Sequence, residues 1–226
     1  MKSRGTLVQI FLAGLVAAGA SSVAANEPEI APTPAEIDFV DVRRVDSTIV
    51  VDLRYAGTDN FTHRALYPSK MPPLVRLSVA QRLAVAQAFL RPYGYRLKVW
   101  DAYRPQAAQA ALWEAIRNTD FVADPKEGIG SMHTRGVAVD VTLVDRLGKE
   151  VAMPTEFDNF TPAAIHFYQG TDPIIRANLN LLQKAMARAG FYGLRTEWWH
   201  FCAGDWAKYS PVPEVKLVAK ESGPRQ

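Results

Sequence analysis

The chain has 226 residues, 48% of them hydrophobic and 22% charged, the composition of a folded soluble domain of somewhat more than average size. A chain of this length buries roughly 70% of its unfolded surface, so it needs neither a disulfide framework nor an oligomer for stability, and disordered and collagen-like chains are excluded. Lys and Arg number 26 against 23 Asp and Glu, a net charge of +3 with no basic block to neutralise a row of phosphates, so nucleic acid is not an expected partner.

The chain opens with Lys2 and Arg4, an uncharged apolar run from Thr6 to Ala20, and a small, weakly polar stretch from Ser21 to Ala25. That order reads as a secretory signal peptide over residues 1–25, cut after Ala24 or Ala25. The run is shorter than the ~20 apolar residues that span a bilayer, and no Cys follows it for lipid attachment. The expectation is an exported, periplasmic or secreted protein with no stable membrane insertion after cleavage. A single Cys202, unable to form an intramolecular bridge, suits an oxidising compartment. Residues 26–38, acidic and Pro-rich, read as a linker; 39–209 as one domain; 210–226, with Pro211, Pro213 and Pro224, as a tail that wraps the surface or frays.

Within the domain, β-branched Ser47 to Leu53 predicts a strand. Ser78 is a good N-cap for a helix towards Leu90, with Val79, Leu83, Val85, Ala86, Phe89 and Leu90 on or near one face. Arg96 to Trp100 reads as a strand ending in Asp101, and Pro105 to Arg117 as an Ala-rich helix with Pro105 in its first turn. After Gly128 to Gly130, residues Gly136 to Leu143 alternate as a strand. Asp172-Pro173 starts a helix that runs to Ala189 and stops at Gly190, and Phe191 to Phe201 returns as a last extended segment. The elements do not repeat as βαβ units. They predict an α+β domain with a mainly antiparallel central sheet flanked by helices.

Chemistry concentrates in two of the four histidines. In Ser131-Met132-His133-Thr134-Arg135-Gly136-Val137-Ala138-Val139-Asp140, strand alternation puts Val137, Val139, Val141 and Leu143 on a core face and Ala138, Asp140 and Thr142 on the other. An Asp within so apolar a strand is costly to bury unless it is paired or binds a cation. His133 lies just before the strand, ahead of a Gly that permits a sharp turn. In Glu197-Trp198-Trp199-His200, His200 offers a second nitrogen, and two His with one carboxylate leave a zinc ion one open position for water. A zinc ion of that kind lowers the pKa of its water to about 7. Glu197 then stands where it can take that water's proton and pass it to a leaving amine. On a regular strand residues 197 and 200 face opposite sides, so a bulge or local turn must lie between them if both serve one site. Either histidine alone reads as an ordinary hydrogen-bonded residue; the two motifs together point to a metal. In Asp101-Ala102-Tyr103-Arg104-Pro105, Arg104 either aims its donors at a developing oxyanion or caps the strand by a salt bridge.

These pieces, in this order, resemble the zinc D-Ala-D-Ala metallopeptidases, most closely the D-alanyl-D-alanine dipeptidases of the vancomycin-resistance type. The likeness extends over roughly residues 39 to 205, through Arg54-Tyr55-Ala56, Asp59-Asn60-Phe61-Thr62, Trp100 to Gln106, Ser131 to Leu143, Phe157-Asp158 and Glu197 to Phe201. It implies a single domain of the hedgehog/DD-peptidase type and one zinc ion per chain, held by His133, Asp140 and His200. It implies Glu197 as catalytic base and acid, Arg104 as stabiliser of the tetrahedral intermediate, and hydrolysis of free D-Ala-D-Ala. Asp158 is the candidate for the substrate ammonium, with Ser131 and Tyr55 lining the pocket. The segment after Asp158 lacks the His-rich form of the resistance enzymes, residues 64–73 look like a Pro-rich insert, and Phe201 stands where Tyr is common. His63 and His166 read as structural or rim residues, Cys202 as a small buried side chain, and Trp198 and Trp199 as core and pocket wall. Two other readings share these residues: a D,D-carboxypeptidase acting on longer wall peptides, and a non-catalytic zinc-dependent wall-binding module, against which Glu197 and Arg104 together argue.

Overall fold

The computed structural model describes residues 39–68 and 70–212; the expected signal peptide, the linker and the tail beyond residue 212 lie outside them. The strands are β1 (Phe39–Asp41), β2 (Val50–Val51), β3 (Leu74–Arg76), β4 (Arg96–Asp101), β5 (Ala138–Val144), β6 (Phe191–Leu194) and β7 (Glu197–Ala203). The helices are α1 (Leu77–Leu90), α2 (Gln106–Ile116) and α3 (Pro173–Arg188). A five-stranded sheet runs in the order β2-β4-β5-β7-β6, parallel only between β2 and β4, and β1 pairs with β3 in a separate antiparallel ribbon. The expected α+β class with a mainly antiparallel sheet is what the chain adopts.

The larger of the two buried hydrophobic clusters lies on one face of the sheet. Val137, Val139, Val141 and Leu143 join Leu83, Leu90, Leu179, Leu182 and Met186 in one buried cluster, which packs α1 and α3 against β4 and β5. Helix α3 is delimited by local chemistry. The Asp172 carboxylate accepts from the N–H groups of Ile174 (2.8 Å) and Ile175 (3.3 Å), Pro173 occupies the first turn, and Gly190 follows at φ 80°.

Several local expectations change. The Ser47–Leu53 strand shrinks to Val50–Val51, because Asp46 turns the chain before it: its carboxylate accepts from the N–H (3.0 Å) and hydroxyl (2.6 Å) of Thr48. Helix α1 starts one residue before Ser78, whose hydroxyl instead pairs with the Tyr209 hydroxyl at 2.9 Å, and Val85 leaves the apolar face at 53% exposure. Pro105 is the residue before α2 rather than its first. The single extended segment from Phe191 is a hairpin, with Arg195 and Thr196 as its two-residue turn. The start of the tail is tied down: Val212 is buried and donates its N–H to the Thr134 carbonyl at 2.9 Å.

Two irregularities in the sheet re-aim polar side chains. Between Val99↔Val141 and Asp101↔Asp140, two residues of β4 oppose one of β5. This bulge turns Asp101, which by alternation belongs with Val99 on the core face, onto the face of Asp140. Between Phe201↔Gly193 and Glu197↔Leu194, residues 198–200 of β7 have no counterpart on β6. That is the irregularity required for Glu197 and His200 to serve one site.

Candidate active site

All eight residues singled out in the sequence, Tyr55, Arg104, Ser131, His133, Asp140, Asp158, Glu197 and His200, line one cavity of about 310 Å³ on the sheet face opposite α1 and α3. Asp140 and His200 are directly paired across β5 and β7. His133 reaches them from the short helical turn His133–Arg135, which Gly136 ends at φ 71°. The Ser131 hydroxyl accepts the His133 N–H at 3.3 Å, and the Thr134 hydroxyl donates to the Ser131 carbonyl at 2.7 Å, so Ser131 shapes the turn as well as the wall.

The donor atoms form a small triangle. His133 Nε2 lies 3.1 Å from His200 Nδ1 and 3.3 Å from Asp140 Oδ1, and His200 Nδ1 lies 3.0 Å from Asp140 Oδ1. Corners of a tetrahedron centred on a zinc ion at 2.0–2.1 Å are about 3.3 Å apart, so the donor spacing fits one face of such a site. The His133 Nδ1–H donates to the Ala102 carbonyl at 2.8 Å, which leaves the lone pair on Nε2, turned to the triangle. Among the described residues these three are the one group of His, Cys, Asp or Glu donors close enough together to hold a metal ion. Cys202 stands outside it, its thiol pushed up to about 11 by burial.

The electrostatics match a site built for a cation. While the imidazole nitrogens of the triangle still carry protons, the attraction of His133 and hydrogen bonds from His133 and His200 outweigh the burial of the Asp140 carboxylate and hold it well below the usual carboxylate range. Burial would lower His133, yet Asp140 raises it; burial lowers His200. Glu197 is buried with no hydrogen bond to its carboxylate among the described residues, and burial with the nearby charge of Asp140 pushes it well above its usual range.

Arg104 is buried and clamped. Its Nε (3.0 Å) and Nη2 (2.7 Å) both donate to Asp101 Oδ2, and Nη1 donates to Gln109 Oε1 at 2.9 Å. The guanidinium also lies 5.1 Å from the Tyr55 ring centroid. The two readings of Arg104 are thus both present, a salt bridge at the strand end and a group facing the cavity, with two of its five N–H donors left over. Asp101, fully buried, holds the surroundings together: it accepts from Tyr67, from the Ala102 N–H (2.8 Å) and from Arg104, and stands 3.5 Å from His133 Nδ1. Asp101, Tyr67 and Gln109 had no place among the expected site residues. Asp101 lacks the mark of Asp140, because it ends a strand that also carries Arg96 and Lys98, and nothing in an Ala-rich helix marks Gln109.

Asp158 sits at φ 57°, where its Oδ1 accepts the Tyr55 hydroxyl at 2.9 Å and its Oδ2 the Phe61 N–H at 3.3 Å. Asn60 braces that loop. The two N–H donors of its Nδ2 are shared among the carbonyls of Arg54, Gly57 and Arg64, all at 3.0–3.1 Å, and its Oδ1 accepts from Thr62. Trp199 walls the cavity while Trp198 is buried in the core. His63 is exposed and His166 half-buried, and neither lines the cavity.

The sequence profile of the Peptidase_M15 family, described as D-ala-D-ala dipeptidase, matches residues 35–217. The chain is 34% identical over 164 residues to the D-alanyl-D-alanine dipeptidase of Escherichia coli, covering 73% of this chain and 83% of that protein. It is 29% identical over 189 residues to that of Enterococcus faecium, covering 75% and 93%. A solved vancomycin-resistance D,D-pentapeptidase, VanY in complex with Zn(II), is similar at 16% identity and a TM-score of 0.37, over 63% of this chain and 79% of that one. With a profile that spans nearly all of the described domain and relatives matched over most of their own length, the chain belongs to the Peptidase_M15 family of D-ala-D-ala dipeptidases.

Proposed function

We propose that the chain is an exported zinc dipeptidase that hydrolyses D-alanyl-D-alanine to two molecules of D-alanine. The observation that carries this reading is the His133–Asp140–His200 donor triangle sharing one small cavity with Glu197 and Arg104. His133 Nε2, Asp140 Oδ1 and His200 Nδ1 would hold one zinc ion per chain. When bound, zinc supplies Lewis acidity and brings the pKa of water towards 7.

The chain's own groups do the rest. Glu197, kept out of bulk water and free of other hydrogen bonds, has the raised basicity of a group that takes a proton from the attacking water and gives it to the departing amine. Arg104, its plane fixed by Asp101 and Gln109, offers its spare N–H donors to the carbonyl oxygen as negative charge builds there. Asp158 receives the substrate ammonium, with Tyr55 and Ser131 as neighbouring wall. Water adds across the peptide bond, and both products leave as free amino acids. The charged, apolar and small-residue order of residues 1–25 supports export, with the periplasm as the place where such dipeptides arise from cell-wall turnover.

The test is product analysis on D,D-, L,D- and L,L-dipeptides and on a pentapeptide ending in D-Ala-D-Ala, with and without chelator. D-Ala-D-Ala should be cleaved, the L,L-dipeptides and the pentapeptide left intact, and chelator should abolish turnover. Preferred cleavage of the pentapeptide would replace the reading by a D,D-carboxypeptidase; binding of wall peptides without turnover would replace it by a binding module.

A further inference from the structure

The cavity has a wall that the catalytic groups do not use, made of phenylalanines from three separate loops. The rings of Phe121 and Phe160 stack with centroids 4.9 Å apart and planes at 28°, and Phe61 meets Phe160 edge-on at 5.0 Å and 71°. Phe121 and Phe160 face the cavity, and Phe61 backs them. One end of the wall is joined to Asp158: the Phe61 N–H donates to Asp158 Oδ2, and Phe160 follows Asp158 by two residues. The other end is joined to the hairpin that carries Glu197. Asp120, next to Phe121, accepts from the Thr196 hydroxyl at 3.0 Å through its carbonyl. Three loops are thereby stapled into one apolar surface running from the carboxylate assigned to the ammonium to the strand that bears the base.

We propose that the Phe121–Phe160 pair, backed by Phe61, gauges substrate length, stopping the peptide at the residue whose ammonium Asp158 receives. The inference rests on the dipeptidase reading and deepens it. A further amino-terminal residue extends a peptide by about 3.5 Å past the ammonium position, where the wall joins Asp158 through the Phe61 N–H and through Phe160 two residues on. The rings offer no hydrogen bond to the added N–H and C=O, so a longer chain would have to leave buried polar groups unpaired or break the stack. The added residue also moves the ammonium away from Asp158.

The test compares kcat/KM on D-Ala-D-Ala and on D-Ala-D-Ala-D-Ala for the zinc-loaded wild type, Phe160→Ala, Phe121→Ala and the double variant, with products identified by mass. The wild type should strongly prefer the dipeptide. The tripeptide-to-dipeptide ratio should rise at least tenfold in Phe160→Ala and further in the double variant. Ratios within threefold of wild type, in variants that keep zinc and the wild-type unfolding midpoint, would overturn the proposal, as would a wild type that cleaves both peptides equally. Should the alanine variants not fold, Phe160→Leu keeps the apolar fill without the stack, and the same threefold bound on its ratio decides. A wild type that cleaves the dipeptide while no variant gains the tripeptide sinks the length gauge alone. A wild type that cleaves neither sinks the functional reading and the gauge with it.

Discussion

Asp140 and His200, 60 residues apart in the chain, face one another on neighbouring strands, with His200 Nδ1 3.0 Å from Asp140 Oδ1. The pairing explains why an acidic residue is tolerated in a fully buried strand: its charge is met by two imidazoles that converge on one carboxylate oxygen, His200 across the sheet and His133 from the turn before the strand. The same arrangement leaves three lone-pair donors converging, which is the geometry of a cation site.

Glu197→Gln should lower kcat/KM for D-Ala-D-Ala by roughly 10²- to 10⁴-fold, the range for loss of a positioned general acid–base. Bound zinc, measured by metal analysis, should stay at the wild-type level, because Glu197 is no corner of the donor triangle. Loss of the metal would recast Glu197 as a ligand.

Arg104→Lys keeps the charge but not the planar fork that spans Asp101 and Gln109. We expect kcat to fall about 10²- to 10³-fold, the usual loss for one oxyanion donor, with zinc content unchanged. Steady-state kinetics at saturating dipeptide checks this; a pure rise in KM would assign Arg104 to ground-state binding instead.

Burial pushes the Asp158 carboxyl up to about 7, against the opposing hydrogen bonds from the Phe61 N–H and the Tyr55 hydroxyl. Between its ordinary 3.8 and 7 the folded protein therefore holds a proton that the unfolded chain has released, and stability from this group falls as pH rises through that window. In demetallated protein Asp158→Asn should accordingly raise the unfolding midpoint relative to wild type at pH 8, by less at pH 5, and change it little near pH 4. In the zinc-loaded enzyme the same variant should raise KM for D-Ala-D-Ala roughly 10- to 100-fold, through loss of a charged partner for the ammonium.

Gly136 ends the turn that presents His133 at a φ of 71°, and a Cβ there would collide with the Phe39 ring. Gly136→Ala should cost at least about 1 kcal/mol from the left-handed backbone alone. Its Tm, measured by calorimetry, should fall, and zinc affinity in a chelator competition should fall with it.

Legibility in the sequence tracked locality. Helix α3 could be read because Asp172, Pro173 and Gly190 mark its ends by chemistry within the segment. Strand β5 could be read because its valines alternate, and Asp140 stood out as the polar residue among them. Residues whose role depends on sheet register were harder. Asp101 joins the site because a β4 bulge turns it over, and the alternation of Leu97 and Val99 gives no sign of that. Glu197 and His200 demanded an irregularity, but where β6 would fold back to supply it depended on the hairpin pairing. The β1–β3 ribbon and the Phe61–Phe160–Phe121 wall are contacts between distant loops, with no periodicity to reveal them.

Hydrolysis is assigned to a zinc ion that His133, Asp140 and His200 hold together. The direct measurement is release of D-alanine from D-Ala-D-Ala by exhaustively demetallated protein as zinc is returned in known amounts. Activity should be absent without metal and rise linearly to a plateau at one zinc per chain, and His200→Ala should show no such tight stoichiometric rise. Full turnover by the metal-free protein, or an unaltered titration in the His200 variant, would contradict that assignment.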